Sequence, residues 1–94
     1  MDIQHQQKTT GEFFIVNEQQ EKVADILYYM KDENTMVIEH TNVDKSLAGQ
    51  GIGKKLVAAG VEFAREHHLK IIPECPYTKS VFEKTPEYAD VWEK

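Results

Sequence analysis

The chain holds one cysteine, three prolines and one tryptophan among its 94 residues. One cysteine, Cys75, cannot close an internal disulfide, so packing alone must hold the fold. A reducing compartment, the cytoplasm, is the expected location. No apolar run approaches the roughly 20 residues of a membrane-spanning helix, so no membrane partner is expected. Met1 to Thr10 is polar and lacks the charged-then-apolar pattern of a secretory signal. Basic residues are scarce: 11 Lys and Arg stand against 16 Asp and Glu, a formal net charge of −5. Nucleic acid, whose phosphates need clustered positive charge, is not the expected partner. His67 and His68 point about 100° apart on a helix. With no spaced histidine cluster and one cysteine, no metal site is expected.

What is present is a globular pattern, 40% hydrophobic and 29% charged. Its length suits one small domain, expected over residues 11–94 behind a flexible tail at 1–10. Residues 12–16, 22–30 and 35–43 read as strands with short connections, which predicts an antiparallel three-stranded meander. The second is apolar on both faces, as a central strand is. Regular alternation in the third puts Met36, Ile38 and His40 on one face and Val37, Glu39 and Thr41 on the other, unless a bulge intervenes. From Gly51 to about His68, apolar residues recur at helical spacing, with Gly60 suited to a close approach to the sheet. Residues 70–75 form a fourth strand, expected to run parallel to the third after this helical crossover. A short helix over 77–84, with Tyr77, Val81 and Phe82 inward, and a final turn with Tyr88 and Trp92 packed complete the chain.

The stretch Gly49-Gln50-Gly51-Ile52-Gly53-Lys54-Lys55 stands between strand and helix. Glycines there let several N–H groups converge at the positive end of a helix, which suits a phosphate or pyrophosphate. Lys45, Lys54 and Lys55 add positive potential. A phosphate loop of the G-x-x-x-x-G-K-[ST] type is excluded, because Ala48 and Lys55 occupy its first and last places. The dinucleotide fingerprint fails at Lys54 or Leu56.

Beside this loop stand Glu39-His40-Thr41, Pro73-Glu74-Cys75-Pro76-Tyr77 and Pro86-Glu87-Tyr88-Ala89-Asp90. Together, over about residues 12–92, they resemble the GNAT superfamily of acyl-CoA-dependent N-acetyltransferases, in a minimal form with a Cys-Pro-Tyr motif. Ala48 stands where that family usually has Gln or Arg. The two helices that the family places between its first strands are missing, since only residues 17–21 lie there. The resemblance implies a single β-β-β-α-β-α domain of α+β class, its parallel fourth strand splayed from the third and its helices packed on the sheet. It implies acetyl-CoA or coenzyme A as cofactor, held by Thr41, Val43, Gly49, Gln50, Gly51, Ile52, Gly53, Lys54, Lys55, Pro76 and Tyr77. It implies transfer of the acetyl group to an amine, whose identity stays open and which could sit on a protein.

Cys75 and His40 are the candidate catalytic residues. Cys75 could accept the acetyl group as a thiolate, with His40 as its base. Cys75 could equally be a small buried hydrophobe, and His40 a structural histidine. Glu39 is the alternative base. Tyr77 could line the cleft, protonate the departing thiolate or fill the core. The competing function is a non-catalytic carrier or sensor of acetyl-CoA, because the missing helices leave the acceptor side open. A monomer or weak dimer is expected.

Overall fold

The computed structural model describes residues 2–7 and 10–93. In chain order the elements are β1 (Gln4–Gln7), β2 (Thr10–Val16), β3 (Lys22–Asp32), β4 (Thr35–Val43), α1 (Ile52–Glu66), β5 (Lys70–Pro73) and α2 (Pro76–Lys84). Short 3₁₀ segments lie at Lys45–Leu47 and Pro86–Val91. The strands lie in the order β1-β2-β3-β4-β5, antiparallel up to β4, with β5 parallel to β4. The expected meander and crossover are present, with one strand added at the front.

That strand corrects the expected tail. Gln4 lies opposite Phe14 and Gln7 opposite Gly11. The physical reason centres on His5, which stacks on Phe13 with centroids 4.2 Å apart and 4° between planes. Its Nε2 lies 2.5 Å from Tyr28 Oη, and Phe63 of α1 meets it edge-on at 4.7 Å. A glutamine-rich segment conceals such an anchor because its partners are distant in sequence. The rest of the tail expectation, at 1, 8 and 9, and the domain end at 94 lie outside the described residues.

Register assigns the two faces. Ile26 and Tyr28 of β3 pair with Phe13 and Gly11 of β2, and with Thr41 and Ile38 of β4. These residues share the face under α1, where a methyl added to Gly60 would stand 3.4 Å from Ile26 and 3.7 Å from Ile38. The close approach expected at Gly60 is therefore present. α2 joins the same face, since Thr78 Oγ1 lies 3.2 Å from Thr41 Oγ1. Between sheet and helices, Ile26, Tyr28, Met36, Ile38, Leu56 and Phe82 are buried. Each such side chain contributes about 1.5–3 kcal/mol relative to exposure.

α1 is capped at its C-terminal end by His67, with His68 in the left-handed region at φ +57°. The Leu69 N–H donates to Ala64 O at 2.8 Å and the His68 N–H to Arg65 O at 3.4 Å. This Schellman arrangement satisfies carbonyls that the helix end would leave open. On α2 the inward positions are Thr78, Val81 and Phe82, spaced i, i+3, i+4. Tyr77, expected inward, falls one residue off that face and is 39% exposed. Tyr88 and Trp92 pack as expected, each with its ring 5.6 Å from that of Phe82.

Candidate functional site

β4 and β5 pair from Thr35–Lys70 to Ile38–Pro73 and no further. Proline lacks the N–H that would continue the ladder. The next two N–H groups, of Glu74 and Cys75, both donate to Ile38 O at 3.1 Å, which turns the chain away. β4 runs on to Val43 beside β3 alone. The parallel pair therefore parts beyond Ile38, and the glycine loop closes the end of the gap.

In that loop Gly49 and Gly51 have φ of +83° and +70°, a conformation costly for residues with a Cβ. Gly51 begins α1 and offers no side-chain cap, so the first helical N–H groups stay available to a ligand. Gly53 is glycine for a different reason. A Cβ there would stand 2.7 Å from Tyr77 Oη, so the Tyr77 ring lies directly on the helix start.

Thr41, Val43, Lys45, Leu47, Ala48, Gly49, Gly51, Ile52, Gly53 and Tyr77 line one cleft of about 400 Å³. Seven of the expected cofactor residues thus share one wall. Gln50, Lys54, Lys55 and Pro76 are exposed and stand outside that lining, with the two lysines on the first turn of α1. Convergent N–H groups, a helix start and lysines nearby form a donor set suited to a phosphate or pyrophosphate.

Cys75 precedes α2 as its N-cap residue and is 8% exposed. Its sulfur lies 3.5 Å from Thr41 Oγ1. Burial pushes the thiol up, but the Thr41 hydroxyl, the N–H groups of Thr78 and Tyr77 and the Thr78 hydroxyl together outweigh it. The net direction is down from the ordinary cysteine value. Burial pushes the Tyr77 phenol up, so it stays protonated and able to donate.

His40 does not join Cys75. Register passes from Tyr28–Ile38 directly to Leu27–His40, which leaves Glu39 as an extra, bulged residue. A bulge shifts the alternation by one. Ile38 and Thr41 therefore share the helix-covered face, while His40, exposed, pairs with Leu27 on the other. The β4 side chain that meets the Cys75 sulfur is Thr41. Thr41 occupies the place that regular alternation gives to His40.

Thr78 was missed by sequence reasoning. It is fully buried and bonded to Thr41. The available signal was its place three residues beyond the N-cap of α2, where a side chain faces back toward the cap. Among the described residues, no group of three or more His, Cys, Asp or Glu side chains is placed to hold a metal ion.

A mixed sheet whose parallel strands part beside a glycine-lined helix start defines the acyl-CoA N-acyltransferase fold. The family model described as GCN5-related N-acetyl-transferase matches residues 12–91, and the chain belongs to that family. A GCN5-like protein from Staphylococcus aureus, solved in solution by NMR, is 41% identical, with a TM-score of 0.79 over 98% of this chain and 87% of that one. Protein NATD1 of Xenopus tropicalis is 32% identical over 67% of this chain, and the match spans 58% of that relative. A GNAT family acetyltransferase from Elizabethkingia anophelis, solved with acetyl-CoA bound, shares the fold. Its TM-score is 0.61 at 18% identity, over 81% of this chain and 52% of that one. No helix among the described residues is long and apolar enough to cross a membrane.

Proposed function

We propose that the protein binds acetyl-CoA and transfers the acetyl group to an amine, with Cys75 as the relay nucleophile. The observation that carries this reading is the single cleft joining the uncapped start of α1 to Thr41, the neighbour of the Cys75 sulfur. Membership of an N-acetyltransferase family supports it. The loop from Gly49 to Lys54 holds the pyrophosphate, and the parted strands near Thr41 and Val43 hold the pantetheine arm. The Cys75 thiol loses its proton to water, its sulfur forms a bond to the thioester carbonyl carbon, the carbon–sulfur bond to CoA breaks, and the CoA sulfur leaves as a thiol with a proton from water or from Tyr77, which water then reprotonates. The amine nitrogen then bonds to the acetyl carbon and loses a proton to solvent, the carbon–sulfur bond to Cys75 breaks, and the sulfur takes a proton from solvent to return as the thiol. Among the described residues no helix covers the sheet face that carries His40, so the amine suits a macromolecule, such as a protein lysine or N-terminus. The cytoplasm and a monomer or weak dimer belong to the same reading.

A second reading, a carrier or sensor of acetyl-CoA without turnover, gains from the place of His40 on the sheet face opposite Thr41.

The test is a calorimetric titration with acetyl-CoA followed by intact mass on wild type and Cys75→Ala. Binding with an acetyl adduct on wild type alone, and loss of acyl transfer in Cys75→Ala, is the expected result. Binding without an adduct would replace the relay with direct transfer or the carrier. No binding at millimolar acetyl-CoA would remove the function altogether.

A further inference from the structure

Thr41 lines the cleft, and its side-chain hydroxyl touches the Cys75 sulfur. It reaches that position because the Glu39 bulge turns it, and not His40, toward the helices. Behind it stands Thr78, whose hydroxyl is 3.2 Å away and whose side chain is fully buried. Apolar packing alone would favour Val at such a position, since a buried hydroxyl needs a partner. The Thr41 and Thr78 hydroxyls stand together beside the buried Cys75 sulfur, and Thr41 is the member of the group that reaches the cleft.

We infer that Thr41, backed by Thr78, is the positioning residue that holds the Cys75 sulfur beside the cleft and exchanges hydrogen-bond roles with it as the thiol ionises. In the thiol form S–H donates to Thr41 Oγ1, and the Thr41 hydroxyl donates to Thr78. On ionisation the S–H bond breaks and its proton passes to water in the cleft. Thr41 then turns its own O–H to the sulfur and accepts from Thr78. Threonine loses no proton in either state. The pair supplies the thiolate stabilisation that an imidazole would otherwise give. This inference rests on the acyl-relay reading of Cys75, but its test needs no acetyl-CoA.

The experiment is the pH profile of Cys75 alkylation by iodoacetamide, followed by intact mass, on the full chain. Thr41→Val keeps the shape and removes the hydroxyl. Its alkylation midpoint moves up, and its rate at pH 7.5 falls about tenfold, the scale of a lost hydrogen bond to a charged group. Thr41→Ser restores the wild-type midpoint, and Thr78→Val shifts it in the same direction by less. Thr41→Ala, at a half-buried strand position, is the second hydroxyl-free variant should Thr41→Val not fold. A hydroxyl-free variant with the wild-type profile, or a Thr41→Ser variant that behaves like Thr41→Val, would overturn the inference. A shifted profile in a protein that acetyl-CoA never acetylates keeps the hydroxyl pair and removes the relay; an unshifted profile in one that is acetylated does the reverse.

Discussion

Gly53 and Tyr77 show how far one hydrogen atom in place of a methyl decides the site. Tyr77 is among the few large apolar-bodied side chains left exposed, with Val43, and both line the cleft. The ring keeps its place only because Gly53 has no Cβ. Gly53→Ala places a methyl where the phenol stands and drives the ring from its seat on α1. The backbone at Gly53 is helical, so alanine is no burden there and improves helix propensity by up to about 1 kcal/mol. The expected outcome is acetyl-CoA affinity reduced by about tenfold or more in calorimetry, with a melting temperature close to wild type. Unchanged affinity would show that the Tyr77 ring is not part of the binding wall. At this scale the sequence was a good guide to the loop, because glycine spacing reports backbone freedom directly. It was a poor guide to His40, because which way a strand residue points depends on every residue before it.

At the scale of elements, β1 is the least secured strand. It pairs on one side only, all its residues are exposed, and His5 is its anchor. Although the residue is exposed as a whole, partial desolvation of its ring against Phe13, Tyr28 and Phe63 holds the His5 imidazole below its ordinary 6.5, and the nearby His67 lowers it further. The other groups facing it are the Tyr28 phenol, which burial pushes up, and the uncharged rings of Phe13 and Phe63. Because the folded value lies below the unfolded one, the unfolded chain binds the proton more tightly. The docking of β1 is complete above about pH 6.5 and weakens as pH falls from there through the lowered folded value. Hydrogen exchange, corrected for its intrinsic pH dependence, should show β1 amides losing protection below that pH while β3 and β4 keep theirs. His5→Phe should flatten the dependence; a β1 that loses protection equally in that variant would remove His5 as the cause. The opposite end of the fold is tied differently. Arg65 holds both carboxylate oxygens of Asp90, at 3.0 and 2.9 Å, and donates to Glu87 O at 2.7 Å. This clamp fixes the last 3₁₀ segment to α1.

At the scale of the whole molecule, the cleft stands where strand pairing stops, so a ligand there bridges α1, β4 and α2. Binding to the folded chain alone must stabilise all of it together. At 100 times its dissociation constant a ligand adds about 2.7 kcal/mol. For a domain of this size that raises the melting temperature by roughly 10–20 °C. Acetyl-CoA should produce this rise in wild type and a much smaller one in Gly53→Ala at the same concentration. A melting curve that ignores millimolar acetyl-CoA would contradict the proposed function by a route independent of calorimetry.

The sequence by itself determined the meander, the helical crossover, the glycine turn and the family, since each depends on local periodicity, backbone freedom or residue motifs. Only the tertiary structure decided that residues 4–7 form a strand, because the partners of His5 lie on β2, β3 and α1. It also decided which β4 side chain meets Cys75. One bulged residue reverses the faces of everything beyond it, and a bulge is fixed by the pairing of two strands rather than by either sequence alone.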